Sequence, residues 1–403
     1  MALLSVEEAL ARVLADVTSL PAEDVSTADA HARVLVDPLT SRRDQPPADV
    51  SSMDGYAVRS ADMASLPAQL QIIGEAAAGH TNVAAVGSGE AMRILTGGLV
   101  PKGADTIVIQ ENAEREGSIV RIHEAAAAGR FIRRKAMDFT QGETLLSSAR
   151  MLSVRDLGLA ASMNYATVRV HRRPKVAVLS TGDELRPPGS ELDLTQIVSS
   201  NGLMLAAFAR GQGAEARDFG IAADRVEAIV QGVRHARAWG ADVLVTAGGA
   251  SVGDYDLVQA ALGGEGMQLG FWKVALRPGK PLMFGTLGPM RVLGLPGNPV
   301  SAFVCAFLFL TPLIRRLAGM QDVHPAADQA ILGRALPKND ERQDYLRGEL
   351  TTSTTGRPIA TPFEHQDSSR IAALARATCL IVRPPNAPAA NRGDICAVLR
   401  LPD

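Results

Sequence analysis

The chain is short of the residues that mark disulfide-stapled, zinc-bound or membrane-embedded proteins. Its three cysteines, Cys305, Cys379 and Cys396, lie far apart and form no CxxC. An odd, scattered set supports neither a disulfide framework nor a zinc knuckle. The seven histidines form no HxxxH or HExxH. Neither sign of charge dominates: 41 Lys and Arg face 43 Asp and Glu, a formal net charge of −2. That balance gives no nucleic-acid platform, no polybasic membrane anchor and no acidic tail. The longest apolar run, Val300 to Ile314, is interrupted by Ser301, Thr311 and Pro312. It is too short to span a bilayer and reads as a buried core helix. The first residues, MALLSVEEALARVLADV, carry Glu7, Glu8 and Asp16 in an amphipathic pattern unlike an export signal. A cytoplasmic location is expected.

What is present is the profile of a folded soluble enzyme, 46% apolar and 21% charged. At roughly 150 residues per domain, the length suggests about two to four domains. Residues 1–40 read as helix, on the repeat of Val6, Leu10, Val13, Leu14 and Val17. From 41 to 140, short β-prone runs alternate with glycine turns, as in a small β-rich domain. Residues 141–173 return to a helix and a strand that could fold back on the N-terminal segment, the two making a linker domain. Between 174 and 324, continuously apolar strands at 175–180, 243–247 and 291–295 alternate with helices, and Asp224 is placed to cap one of them. This predicts a parallel, doubly wound α/β sheet covered on both faces. Residues 325–403 are again β-like and make a closing domain.

The α/β segment is the most informative. Its strands run into Ser180-Thr181-Gly182-Asp183-Glu184, into Gly248-Gly249-Ala250-Ser251-Val252-Gly253-Asp254, and into Pro296-Gly297-Asn298-Pro299. In parallel α/β sheets ligands bind beyond the carboxyl ends of the strands, where these loops lie. Glycine lets backbone N–H groups approach an anion, and Pro299 suits the first position of a helix whose next N–H groups point outward. Thr181 and Ser251 add hydroxyls. Lys273, Arg277 and Lys280 place three cations in a proline-glycine framework suited to oxyanions. Glu184 and Asp256, with Asp183 and Asp254, are acids of the kind that hold Mg²⁺ beside phosphates. One such loop alone would be a structural turn; three in one βα region with the cations point to a phosphorylated ligand.

In the first half, Ser51-Ser52-Met53-Asp54-Gly55-Tyr56-Ala57-Val58 and Thr96-Gly97-Gly98-Leu99-Val100-Pro101-Lys102-Gly103-Ala104-Asp105 are dense turns before strands. Asp138 is a lone acid in an apolar setting. By composition these residues read as structural.

Taken together, the chain resembles the molybdopterin molybdenumtransferase family, MoeA and the E domain of gephyrin. The resemblance rests on SSMDGYAV at 51–58, TGGLVPKGADTIVIQE at 96–111, STGDEL at 180–185, GGASVGDYD at 248–256, RPGKP at 277–281, LPGNPVSAF at 295–303, RQDYLRGEL at 342–350 and SSRIAALARATCLIV at 368–382. It implies four domains: a linker (1–40 with 141–173), a β-rich domain (41–140), a molybdopterin-binding α/β domain (174–324) and a C-terminal β-barrel-like domain (325–403). It implies a homodimer in which the α/β domain of one subunit faces the β-rich domain of the other. The implied reaction turns adenylylated molybdopterin and molybdate into molybdenum cofactor and AMP, with Mg²⁺. The implied catalytic acids are Asp54, Asp138, Glu184 and Asp256, with Asp54, Glu184 and Asp256 around the metal. The implied substrate-binding residues are Thr96, Thr181, Gly182, Gly248, Gly249, Ser251, Lys273, Arg277, Lys280, Pro296, Gly297, Asn298, Pro299, Arg347 and Ser368. Implied partners are the molybdopterin adenylyltransferase and apo-molybdoenzymes. Two departures stand out: Ala136 replaces the family's usual glycine two residues before Asp138, which bears on the shape of that loop, and Arg277 replaces a lysine. The alternatives are a molybdopterin adenylyltransferase built on the same α/β module and a non-catalytic scaffold like gephyrin.

Overall fold

A computed structural model describes residues 3–80, 84–248, 254–353 and 356–402, with the backbone alone for 254–256. At its centre is a six-stranded sheet in the order Glu215–Ala222, Lys175–Thr181, Val243–Gly248, Met290–Leu295, Met283–Leu287, Gln268–Trp272. The first four strands are parallel, Met283–Leu287 runs antiparallel to them, and Gln268–Trp272 runs antiparallel to Met283–Leu287. The parallel strands are apolar throughout because both faces are covered. Val176 and Val178 join a core with Leu205 and Val300, whereas Ala177 and Leu179 join another with Ile229 and Val258. Helices Asn201–Gly211 and Pro299–Leu317 cover the first face, and Val226–Ala238 and Asp254–Gly264 the second. The doubly wound α/β sheet expected from the sequence is thus present, with an antiparallel edge added.

The helix from Pro299 continues to Leu317 through a π-helical turn at Ala306–Leu310. At 19 residues with mean hydropathy 1.7 it is longer than the apolar run read from the sequence, and long enough to cross a membrane. Because 83% of its apolar window is buried, it serves as the central helix of this core.

The N-terminal segment differs from expectation. Only Val6–Leu14 is helical, held by a capping box between Ser5 and Glu8. Its buried face (Val6, Ala9, Val13) packs into the α/β core, not onto the 141–173 segment. Residues Ala22–Ser26 instead form a strand antiparallel to Thr167–His171. Helix Val154–Ser162 and Leu35, Leu146, Leu152 and Met163 complete that separate core.

The β-rich part is a six-stranded sheet from Gly55–Val58 to Ile119–Ile122, with Gly55–Val58 between Thr106–Ile109 and Glu90–Ile94. The C-terminal strands close into a barrel, since Gln343–Thr352 pairs with both Pro358–Pro362 and Cys379–Arg383. A short strand from the α/β part, Leu276–Arg277, adds to the end of Gln343–Thr352 and stitches the basic loop to the barrel.

Candidate active site

Chain order and spatial order disagree at one place in the parallel sheet. The strand ending at Thr181 is first in sequence, yet it lies between the second, Glu215–Ala222, and the third, Val243–Gly248. Such a switch point opens a crevice between loops that leave in opposite directions. A cavity of about 210 Å³ lies there, where Ser180, Thr181 and Glu184 meet Gly248 and the Gly297-Asn298-Pro299 turn. Gly248 has φ +148° and a Cβ there would stand 2.0 Å from the Thr181 carbonyl oxygen. Gly182 has φ +149° and a Cβ would stand 2.7 Å from a Glu184 carboxylate oxygen. Only glycine permits this packing. Gly249 and Ser251 lie outside the described residues, as does the side chain of Asp256.

Pro299 opens its helix as expected, with Asn298 at the N-cap. The N–H groups beyond it are not all directed at a ligand, however. Val300 N donates to the Ser368 carbonyl at 3.1 Å, and Asn298 Nδ2 donates to Ser368 Oγ at 2.9 Å. The C-terminal domain therefore grips this turn. Arg347 braces the grip from within. It is fully buried, and its terminal nitrogens donate to the carbonyls of Asp367 (2.9 Å) and Arg370 (3.4 Å). Burial disfavours its charge and lowers its pKa, yet its Nε has no partner among the described residues.

The three cations do not act alike. The Arg277 guanidinium is held by Asp344, by Asn339 and Asp340 at 3.0 Å each, and its pKa is raised chiefly by the hydrogen bond to Asp344. Its charge is already matched, so the expected arc of three free cations reduces to Lys273 and Lys280. Lys273 is half-buried in a left-handed conformation, φ +76°, with Nζ 4.0 Å from the centre of the Trp272 ring. Lys280 is exposed at the bend. Its carbonyl accepts from Val274 N and Leu282 N, each at 3.0 Å, which fixes the loop.

The β-rich residues form their own constellation. Asp54 Oδ1 accepts from Thr96 N at 2.7 Å and Thr96 Oγ1 at 2.8 Å, and the backbone bond leads in lowering its pKa. Asp138 lines a second cavity, about 700 Å³, with Gly97, His80 and Arg133. Within one chain these acids do not ring the α/β cavity: the two cavities share no lining residue. Ala136, at the position where the resemblance implies glycine, takes a left-handed φ of +59°.

Other acids are structural. Asp183 and Asp224 exchange hydrogen bonds, each amide donating to the other's carboxylate at 3.1 Å. The N-cap of the following helix is Arg225 and not Asp224. Sequence reasoning missed two residues in the α/β cavity, Ser180 and Asn201. Ser180 Oγ and Asn201 Oδ1 are buried without a partner among the described residues. Their signal was weak: Ser180 reads as the last residue of an apolar strand and Asn201 as a helix start.

These features define a multidomain α/β protein with a crevice at the sheet's switch point and a second, acid-lined cavity on its β-rich part. Comparison with known proteins places it further. Three family models match in order: the MoeA N-terminal region (domains I and II) over residues 4–164, a probable molybdopterin-binding domain over 177–316, and the MoeA C-terminal region (domain IV) over 329–401. A molybdopterin molybdenumtransferase of Nostoc sp. is 35% identical over 381 residues, covering 93% of this chain and 87% of that protein. One of Haemophilus influenzae is 34% identical over 362 residues, 89% of each. A crystal structure of the molybdopterin biosynthesis MoeA protein of Pyrococcus horikoshii superposes with TM-score 0.81 at 26% identity, covering 99% of this chain and 100% of that one. The chain belongs to the molybdopterin molybdenumtransferase (MoeA) family.

Proposed function

We propose that this enzyme catalyses the last step of molybdenum cofactor assembly, in which adenylylated molybdopterin and molybdate give molybdenum cofactor and AMP. Family membership over nearly the whole chain supports a transferase of molybdenum cofactor biosynthesis. A lone α/β module, as in an adenylyltransferase, would leave the matches at 4–164 and 329–401 unexplained. The observation that carries the reading is the switch-point crevice, lined among others by Ser180 and Asn201, whose buried Oγ and Oδ1 have no partner among the described residues. Such atoms persist where a ligand completes them.

The division of labour follows from the chemistry of each group. Backbone near Gly248 and Gly297 can approach the phosphate end closely. Lys273 and Lys280 supply donors for oxyanions, molybdate included. Glu184, exposed at the crevice mouth, offers hard oxygen to Mg²⁺, which at phosphate sites takes one or two carboxylates and completes its shell from phosphates and water. Bound there, Mg²⁺ would neutralise phosphate charge. We assign Asp54 and Asp256 to the same ion, with Asp54 and Asp138 supplied by the partner subunit of a homodimer in the cytoplasm. Thr96 holds Asp54 ionised and oriented. The test is AMP release from adenylylated molybdopterin: release that needs both molybdate and Mg²⁺ is expected, and release indifferent to molybdate would refute the assignment.

A further inference from the structure

The acid of the β-rich half is held by more than Thr96. Asp54 lies in the turn that leads into strand Gly55–Val58. Arg93 lies on the adjoining strand Glu90–Ile94, in register with Tyr56. Its guanidinium donates through Nη1 to the Gly55 carbonyl at 3.2 Å and through Nη2 to Gln110 Oε1 at 2.7 Å. Gln110 in turn donates its backbone N–H to the Asp54 carbonyl at 3.1 Å. Both acceptors of Arg93 therefore belong to residues joined to Asp54, one through the peptide bond and one through a hydrogen bond. The guanidinium carbon stands 5.2 Å from the centre of the Tyr56 ring, close enough for a cation–π contact. The turn has no slack behind it: a Cβ on Gly55 would stand 1.9 Å from the Val108 carbonyl oxygen.

A residue that only filled a strand position would not need this chemistry. Arg93 is half-buried and carries a permanent charge. It has no ion pair among the described residues, although Glu75 is its register neighbour on the other side. Two of its five N–H donors go to neutral oxygens, both in the surroundings of Asp54. Thr96 leads in lowering the Asp54 pKa, and the charge of Arg93 adds to it. Thr96 takes Oδ1 of the carboxylate, while Oδ2 has no hydrogen bond among the described residues. With its backbone and one oxygen both fixed, Asp54 offers Oδ2 in a defined direction.

Resting on the role proposed above for Asp54, we infer that Arg93 is a positioning residue of the molybdenum-insertion site: it fixes the turn that carries Asp54 and does not itself touch substrate. Its part differs from that of Lys273 and Lys280, which meet the oxyanion. A displacement of about 1 Å in a reacting group can cost about a hundredfold in rate, so such a brace acts on turnover more than on binding.

The experiment uses the intact enzyme and follows molybdate-dependent AMP release. Arg93→Met keeps the apolar stem and removes every donor. Its kcat should fall at least about tenfold, while KM for adenylylated molybdopterin and for molybdate stays within about twofold. Arg93→Lys reaches one acceptor at a time and should lose only about threefold in kcat. Added methylguanidinium should raise the activity of Arg93→Met at least about threefold and leave wild type unchanged, because it restores the planar fork without the stem. The crystal structure of Arg93→Met should show the Asp54 carboxylate displaced from its place against Thr96. A wild-type kcat in Arg93→Met overturns the inference, and so does an unmoved Asp54 turn. A raised KM at constant kcat also overturns it, since Arg93 would then contact substrate. A lost kcat that follows a lowered melting temperature and that methylguanidinium does not restore overturns it too, leaving Arg93 a structural role. If wild type itself releases AMP without regard to molybdate, the proposed function falls. The crystal structures of wild type and Arg93→Met then still decide whether Arg93 fixes the Asp54 turn.

Discussion

Ala136 shows how one residue can hold a loop against its own preference. Its φ of +59° puts a Cβ-bearing residue where glycine is at ease, at a cost of about 1–2 kcal/mol. The turn persists because Ala136 N donates to Pro46 O and Asp138 N to Gln45 O, both at 2.9 Å. Ala136→Gly should therefore leave the loop unchanged and stabilise the fold by up to about 1 kcal/mol, the released strain exceeding the added freedom of the unfolded chain. Chemical denaturation measures this, and a destabilised variant would show that the turn is not strained. Asp340 gives a second residue-level expectation. Hydrogen bonds from Arg342, with Arg277 beside it, hold its pKa down to about 2 from an ordinary 3.8. A lowered pKa favours the fold above the unfolded value, and that benefit is lost as pH falls toward the folded one. Wild type should thus exceed Asp340→Asn in stability by a roughly constant margin above about pH 5, within about 1 kcal/mol for so exposed a pair. The margin should shrink below pH 4 and vanish near pH 2. Thermal melts across that range decide it, and a margin independent of pH would remove Asp340's charge from the account.

At the scale of elements, what could be read from sequence followed from periodicity and glycine placement. The strands ending at Thr181, Gly248 and Leu295 were legible because continuous apolar runs need burial on both faces, and their loops had to gather at one edge. Helix Val6–Leu14 was legible too, but not its end: the turns after it let Ala22–Ser26 pair with a strand some 145 residues away, a register that no local pattern encodes. The strand of the edge pair Gln268–Trp272 and the strand Pro358–Pro362 were likewise invisible to local reasoning. In the basic loop, sequence showed three cations but could not show that Arg277 finds Asp340 and Asp344 more than 60 residues away. This sharpens an expectation. Lys280, which no described acid pairs with in a salt bridge, should carry more of the oxyanion binding than Arg277. Lys280→Ala should raise the molybdate concentration needed for half-maximal AMP release at least about tenfold, the effect of roughly 1.4 kcal/mol from one charge-assisted contact. Arg277→Ala should act mainly by loosening the loop from the barrel, lowering thermal stability. Reversed roles in paired molybdate titrations and melts would return Arg277 to the ligand.

At the scale of the whole molecule, the acids divide between two places. Asp54 with Thr96 and Asp138 belong to the β-rich part, and Glu184 belongs to the α/β crevice, while the cavities around them share no residue within a chain. A second chain would bring both sets into one site, which is the reason for proposing a shared cleft in a homodimer. The proposal has a consequence that a self-sufficient monomer cannot imitate. Asp54→Ala would damage each site through its β-rich half, and Glu184→Ala through its α/β half, so either homodimer would be inactive. In a mixed dimer, one cleft receives both defects and the other receives neither. With free exchange at equal amounts, half of the dimers are mixed and each holds one intact cleft of two. Activity should then return to about one quarter of wild type, as closed two-fold symmetry requires. The measurement is AMP release from the two variants alone, mixed, and mixed after mild denaturation and refolding to permit exchange. Recovery after exchange, with none before it, would establish that the two halves of the site come from different chains. Persistent inactivity, in a mixture shown by mass spectrometry to contain mixed dimers, would mean that each chain closes its own β-rich face onto its own crevice by domain movement.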